Sequence, residues 1–261
     1  MNALIAVSVG NTRTQIGRFS DLRGDIDASE SVPNSETEVV LERIAHHLKE
    51  VEGSDAAVVM ASVNRSVSDP LRARAEGKLD IEISVIGEDI MPAIATRLDP
   101  DAATGVDRLL CASAAFSRLK QACVIIDAGT AVTVDFVDGE GTFHGGAIAP
   151  GAAMQLRALH EHTDALPDIA FEPPPEEPFG RNTREAMLHG VFHGIRGLAQ
   201  RLIERYADAQ GAFPMVIVTG GDAQRIFEHE QFVDRIVPEL LLLGIASSVA
   251  AAGVDEPVGD D

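Results

Sequence analysis

Residues 123–136 read CVIIDAGTAVTVDF, and the fold is decided there. Val124, Ile125 and Ile126 form the short apolar run of a buried strand. Asp127 sets a carboxylate at the strand's end, and Gly129 permits a tight reversal of the backbone. Val132, Val134 and Phe136 then alternate with Thr133 and Asp135, the period of two that marks a returning strand. Thr130 supplies a hydroxyl beside backbone suited to face a phosphate. An ordinary hairpin uses the same turn residues, because Asp and Gly are favoured there.

An echo near the N-terminus separates the two readings. Residues 4–19, LIAVSVGNTRTQIGRF, repeat the order of apolar strand, glycine, threonine and alternating strand. Setting Gly10 against Gly129 also sets Ser8 against Asp127, at one offset of 119 residues (129 − 10 and 127 − 8). Two such hairpins, each opening half of the chain, indicate an internal duplication. Facing each other across a cleft, they would hold a nucleoside triphosphate from both sides.

The 261 residues are 45% hydrophobic, enough for a sizeable core in one or two domains. With 41 acidic against 21 basic side chains, the formal net charge is −20. A surface so negative argues against nucleic acid or an anionic membrane as partner. A polyanionic substrate therefore needs local arginines, backbone amides or a metal. Cys111 and Cys123 lie in apolar surroundings and make no disulfide framework. The N-terminus reads as carrying no secretory signal. The apolar segment 240–254 is too short for a membrane span and reads as a packed helix. A cytoplasmic protein is the expectation.

Between the hairpins, residues 20–33 are polar and turn-rich, and 36–51 place apolar residues at helical spacing. Residues 56–63 read as a buried strand, 70–78 as a short helix and 81–86 as a strand. The order fits an α/β domain with a mixed sheet. Residues 99–108, DPDAATGVDR, form a loop entering a helix at 109–119. Asp107 and Arg108 sit in that helix's first turn, where Asp107 either complements the helix dipole or serves as a general base. Arg108 is correspondingly a surface residue or an anion clamp. In 144–151, HGGAIAPG, the glycines mark backbone that approaches a ligand or another strand. A helix at 152–160 follows. The stiff acidic stretch 171–178, FEPPPEEP, is a connector or a lid. Asn182 or Thr183 caps a helix running from 184 toward 206. His189 and His193 share a face of that helix, and His160 and His162 form HxH, but no strong zinc signature results. Gly220 and Gly221, after a strand at 215–218, suit a platform for a nucleotide base.

Taken together, the chain resembles the type III pantothenate kinases, members of the acetate and sugar kinase/Hsp70/actin superfamily. The resemblance runs nearly end to end. It rests on GNT at 10–12, GVDR at 105–108 and DAGTAVTVD at 127–135. GGAIAPG at 145–151, TDALP at 163–167, GRNT at 180–183 and TGGD at 219–222 support it. It implies an α/β protein of two ribonuclease-H-like domains with an actin-like ATPase fold, mixed sheets flanked by helices, and ATP between the domains. The expected division is 1–118 and 119–261. Ser8, Gly10, Asn11, Thr12 and Thr130, with Gly220 and Gly221, fall at ATP-binding positions. Leu98, Gly105, Val106, Asp107, Arg108 and Thr183 fall at substrate positions. Asp107 looks like the base that takes the pantothenate hydroxyl proton, and Arg108 like a residue that holds the substrate. Asp127 matches a monovalent-cation ligand. Thr183 matches a residue that reaches pantothenate across a homodimer interface.

The implied activity is ATP-dependent phosphorylation of pantothenate to 4'-phosphopantothenate, the first step of coenzyme A synthesis, with Mg²⁺ and K⁺ or NH₄⁺. Two positions depart from the family pattern. Ser8 stands where the family carries Asp, which removes a hard anionic partner for Mg²⁺. Leu98 stands where the family usually has a substrate-contacting Tyr. These departures support an alternative: a catalytically impaired nucleotide-binding or regulatory relative, with another phosphotransferase of the superfamily as a third reading. Asp107, Arg108 and Asp127 favour the kinase.

Overall fold

The computed structural model describes residues 3–51 and 56–253. The chain divides into two compact units, one made of Met1–Ala95, Asp99–Arg118 and Glu239–Asp261, the other of Thr96–Leu98 and Leu119–Pro238.

In the first unit, β1 (Ala3–Val9), β2 (Arg13–Phe19) and β3 (Ala28–Pro33) form an antiparallel meander. Helix α1 (Thr37–Glu50), strand β4 (Ala56–Ser62), helix α2 (Arg65–Leu79) and strand β5 (Ile83–Val85) follow. β4 lies parallel to β1 and β5 parallel to β4, giving the order β3-β2-β1-β4-β5. Every residue of β1 is buried, so this central strand is covered on both faces. Ile5, Val7 and Val9 join Val40, Leu41 and Ile44 of α1 and Leu71 and Ala75 of α2 in one core. Alternation turns Leu4, Ala6 and Ser8 to the opposite face.

The strand β6 (Ala95–Thr96) and helix α3 (Val106–Leu119) lead to the second unit. There β7 (Cys123–Ala128), β8 (Ala131–Val137) and β9 (Thr142–Pro150) repeat the meander. Helices α4 (Ala152–Glu161) and α5 (Thr183–Gln210) come next, then β10 (Met215–Thr219), α6 (Ala223–Phe227) and β11 (Arg235–Ile236). β10 runs parallel to β7 and β11 parallel to β10. The sheet order is β11-β10-β7-β8-β9-β6. Leaving out β6, each unit has three antiparallel strands followed by two parallel ones in the same order. The duplication seen in the hairpins therefore extends to the topology of both sheets. Val124, Ile126 and Ala128 pack on Leu188, Phe192 and Ile195 of α5.

Several boundaries differ from the sequence reading. Residues 28–33, read as turn-rich, form β3, an edge strand with only Val32 buried; its exposed serines and half-buried glutamate hide the strand signal. Helix α2 starts at Arg65, not at Pro70, and carries Pro70 inside it, forgoing the one hydrogen bond Pro70 cannot donate. Helix α3 begins at Val106 rather than 109, with Asp107 and Arg108 in its first turn as the sequence reading has them.

The largest correction concerns the C-terminal segment, expected in the second domain. Helix α7 (Leu240–Ala252) packs on β1, β2 and β4 of the first unit, while Val254, the last residue of the expected helix, lies outside the described residues. Leu240, Leu242, Ile245 and Val249 are buried there, each stabilising the unit by about 1.5–3 kcal/mol relative to exposure. Gly244 lets α7 approach α3 closely, since a Cβ there would strike the Leu110 carbonyl. Leu98, expected in the first domain, belongs to the second, where Arg97 N–H bonds the Phe143 carbonyl at 2.8 Å.

Candidate active site

Each hairpin turn is closed by its glycine. Gly10 N–H donates to Arg13 O and Gly129 N–H to Ala131 O, both at 3.0 Å. Val9 pairs with Thr14 and Ala128 with Val132, so the first turn holds one residue more than the second. Asn11, Thr12 and Thr130 are exposed at the tips. Ser8 is 7% exposed at the end of β1, beside Gln15 and Ala61.

In the second unit, the end of β7 is wrapped by glycines. A Cβ on Gly129 would lie 3.3 Å from Asp127 Oδ1. Gly220, at φ +97°, could bear none, because it would strike that oxygen and the Ala128 carbonyl. Asp222 N–H bonds the same carbonyl at 2.9 Å, so residues 219–222 fold over the strand end. Burial pushes the Asp222 carboxyl above the usual carboxylate range, and Arg225, 3.5 Å away, opposes the shift. Gly221 is exposed with open space about it, and Gly220 is half-buried.

Asp107 and Arg108 are half-buried in the first turn of α3. Asp107 Oδ1 accepts the Arg108 N–H at 2.8 Å, which folds the carboxylate back over Gly105. A Cβ on Gly105 would lie 2.5 Å from that oxygen. The backbone thus holds one carboxylate oxygen in the helix's first turn. A cavity of about 420 Å³ adjoins this turn, lined by Ser62, Arg65, Ser68, Glu88, Thr104 and Gly105 among others. Arg65 and Glu88 pair across it at 2.9 Å. Of this lining the sequence pointed only to Gly105 and Val106; Ser62, Arg65, Ser68 and Glu88 carry no motif.

The remaining candidates are dispersed. Leu98 is half-buried against Gly145, in the second unit, whereas Gly105, Val106, Asp107 and Arg108 are in the first. Asn182 is the cap of α5, accepting Glu185 N–H at 2.9 Å while the Glu185 carboxylate accepts Arg181 N–H at 2.8 Å. Thr183 stands exposed beside it. The acidic stretch is tied to this helix start by Glu172–Arg184 at 2.8 Å and Glu177–Arg181 at 3.1 Å, exposed pairs worth little each. At 144–151 the glycines approach protein backbone, as the reading of a neighbouring strand expects. Gly146 lies against Val134 and Asp135 of the neighbouring strand, and Gly151 against the turn at Gly129–Thr130.

His189 and His193 stack at 5.6 Å, and His160 Nδ1 pairs with the Leu166 carbonyl at 2.8 Å. Among the described residues no group of three or more His, Cys, Asp or Glu could hold a metal unaided. Both cysteines are buried and outside any disulfide, and burial pushes the Cys123 thiol up to about 12, which leaves it inert. No described helix is long and apolar enough to cross a membrane.

The family model for type III pantothenate kinases matches residues 4–205. The chain belongs to the type III pantothenate kinase family. A relative from Anaeromyxobacter sp. (strain Fw109-5), named type III pantothenate kinase, is 32% identical over 250 residues, covering 93% of this chain and 96% of its own. One of the same name from Dehalococcoides mccartyi (strain CBDB1) is 32% identical over 253 residues, covering 93% of each. Among solved structures, a Campylobacter jejuni protein described as of the Baf family superposes with TM-score 0.60 at 17% identity, covering 96% of this kinase and 99% of that chain. A Sinorhizobium meliloti protein described as a 2-dehydro-3-deoxygalactonokinase gives 0.56 at 14%, covering 98% and 100%. At such identity these two speak for the fold alone.

Proposed function

We infer that this kinase transfers the γ-phosphoryl group of ATP to the primary hydroxyl of pantothenate, releasing ADP and 4'-phosphopantothenate, the first step of coenzyme A synthesis. The observation that carries the reading is the Asp107 carboxylate, fixed at the start of α3 over Gly105 in a chain of this family. Phosphoryl transfer needs positioning and charge neutralisation more than covalent chemistry. Asp107 takes the hydroxyl proton as the oxygen attacks phosphorus, and the bond to the ADP oxygen breaks. Arg108 holds the acceptor's carboxylate. The cavity beside Gly105 has a volume suited to a small acceptor.

The turns at Gly10–Thr12 and at Thr130 offer backbone amides and hydroxyls to the phosphates. With no metal-binding cluster among the described residues, a divalent ion relies on the nucleotide's own oxygens and water. That suits Mg²⁺, which keeps waters and takes few protein ligands. When bound, Mg²⁺ offsets phosphate charge. Asp127 serves a monovalent cation, K⁺ or NH₄⁺. The enzyme works as a cytoplasmic homodimer in which Thr183 reaches the neighbouring subunit's pantothenate. A second reading, an impaired relative, is favoured by the Ser8 hydroxyl where a carboxylate is expected. An ADP-coupled assay with ATP, Mg²⁺ and pantothenate, with and without K⁺ or NH₄⁺, separates the two. Pantothenate-dependent ADP release supports the kinase; ATP binding without release supports the impaired relative.

A further inference from the structure

Asn34 directly follows Pro33, the last residue of β3, and reaches back to the turn between β1 and β2. Its N–H donates to Thr12 O at 3.0 Å, and its Nδ2 donates to Gly10 O at 2.9 Å. Its Oδ1 accepts the Thr14 hydroxyl at 2.9 Å, and Thr14 is fully buried. One half-buried side chain therefore uses both ends of its amide on one turn. The second unit shows the same backbone device. Gly151 directly follows Pro150, the last residue of β9, and its N–H donates to Thr130 O at 3.1 Å. A Cβ at Gly151 would run into the Gly129 and Thr130 carbonyls, so packing does in that turn what the amide does in the first.

We propose that Asn34 is a positioning residue for nucleotide binding: it fixes the carbonyls of Gly10 and Thr12, so that the N–H groups of Asn11 and Thr12 and the Thr12 hydroxyl are presented in one geometry to the phosphates. The proposal rests on the reading of that turn as phosphate-facing. The turn needs such a brace because Asn11, Thr12 and Arg13 are exposed and it holds one residue more than its counterpart. A brace formed before binding spares the ligand the cost of ordering the loop. Asn34 itself touches no phosphate in this reading and acts through the turn.

The test is calorimetric titration of MgATP into the wild type, Asn34→Ala, Thr14→Val and the double variant, alongside KM for ATP and for pantothenate. Asn34→Ala is expected to weaken MgATP binding about tenfold and to raise KM for ATP alike, with KM for pantothenate unchanged. Thr14→Val, which removes only the hydroxyl, is expected to weaken MgATP less, and the double variant to match Asn34→Ala, because both act through one amide. Should Asn34→Ala fail to fold, Thr14→Val and Asn34→Asp, which loses the donor to Gly10, carry the same comparison. Equal MgATP affinity in wild type and folded variants overturns the proposal, as does an equal rise in both KM values, the mark of general loosening. If the wild type binds MgATP but leaves pantothenate unphosphorylated, the functional reading fails alone and the titration still decides on Asn34. If the wild type binds no MgATP, both fail.

Discussion

Replacing Gly105 by Ala displaces the Asp107 carboxylate while leaving its chemistry unchanged. Gly105 is not among the glycines with positive φ, so alanine meets no backbone strain there. What it meets is Asp107 Oδ1, 2.5 Å from the new Cβ. A carbon–oxygen contact relaxes at about 3.3 Å. The carboxylate must therefore swing away by close to an ångström, and its 2.8 Å bond from the Arg108 N–H is broken or bent. Misplacement by about 1 Å can cost roughly 10²-fold in rate, or about 2.7 kcal/mol of transition-state stabilisation. The assay is steady-state turnover of pantothenate by Gly105→Ala, with a thermal melt and a MgATP titration as controls. The expected result is kcat down by roughly 10²-fold with MgATP affinity and secondary structure intact. Turnover within about threefold of wild type would refute the idea that the carboxylate's seat over Gly105 matters, since such a change is under 1 kcal/mol.

Three further outcomes are expected. Ser8→Asp places a carboxylate at a position 7% exposed, so its melting temperature should fall in chelator, and Mg²⁺ with ATP should restore it; a variant equally stable in both conditions would show that no cation reaches residue 8. Burial raises the Asp222 pKa in the folded state, so the folded chain binds more protons and stability falls as pH rises from the unfolded value of about 3.9 through the folded one. Asp222→Asn should accordingly raise the melting temperature at pH 7 and leave it unchanged at pH 3, and an equal gain at both would contradict the burial account. A homodimer should appear in light scattering, with α5 rather than α3 as its contact: α3 is packed on α7 within its unit, whereas Gly190, Gly194 and Gly197 leave one face of α5 open. Gly194→Arg should then yield a monomer of reduced activity, and a dimer that survives it would exclude that face.

The two hairpins were legible because a glycine after a strand-end polar residue and a period of two are local signals. Asp107 was legible as a residue of a helix's first turn, because an acidic residue there complements the helix dipole; the apolar run alone put the start at 109 instead of 106. Strand β3 was not legible because its edge position exposes Ser29 and Ser31 and leaves Glu30 half-buried, and only Val32 betrays a core face. The partner of α7 was not legible, since an apolar stretch such as LLLLGIASSVAAA states that it must be buried but not against which sheet. The Asn34 brace escaped notice for a related reason. An asparagine after a proline reads as a turn residue, and its three bonds to residues 20 or more positions away exist only once β3 lies beside β2.

If Asp107 is the base for an attacking pantothenate hydroxyl, Asp107→Asn removes it and little else. The side chain keeps its size and an oxygen for the Arg108 N–H, and it loses the capacity to take a proton. Turnover, followed by ADP release and by mass of the phosphorylated product, is expected to fall by roughly 10²- to 10⁴-fold, with MgATP affinity and melting temperature near those of the wild type. A variant that still phosphorylates pantothenate at near wild-type rate would return Asp107 to the helix dipole and leave the account without its base.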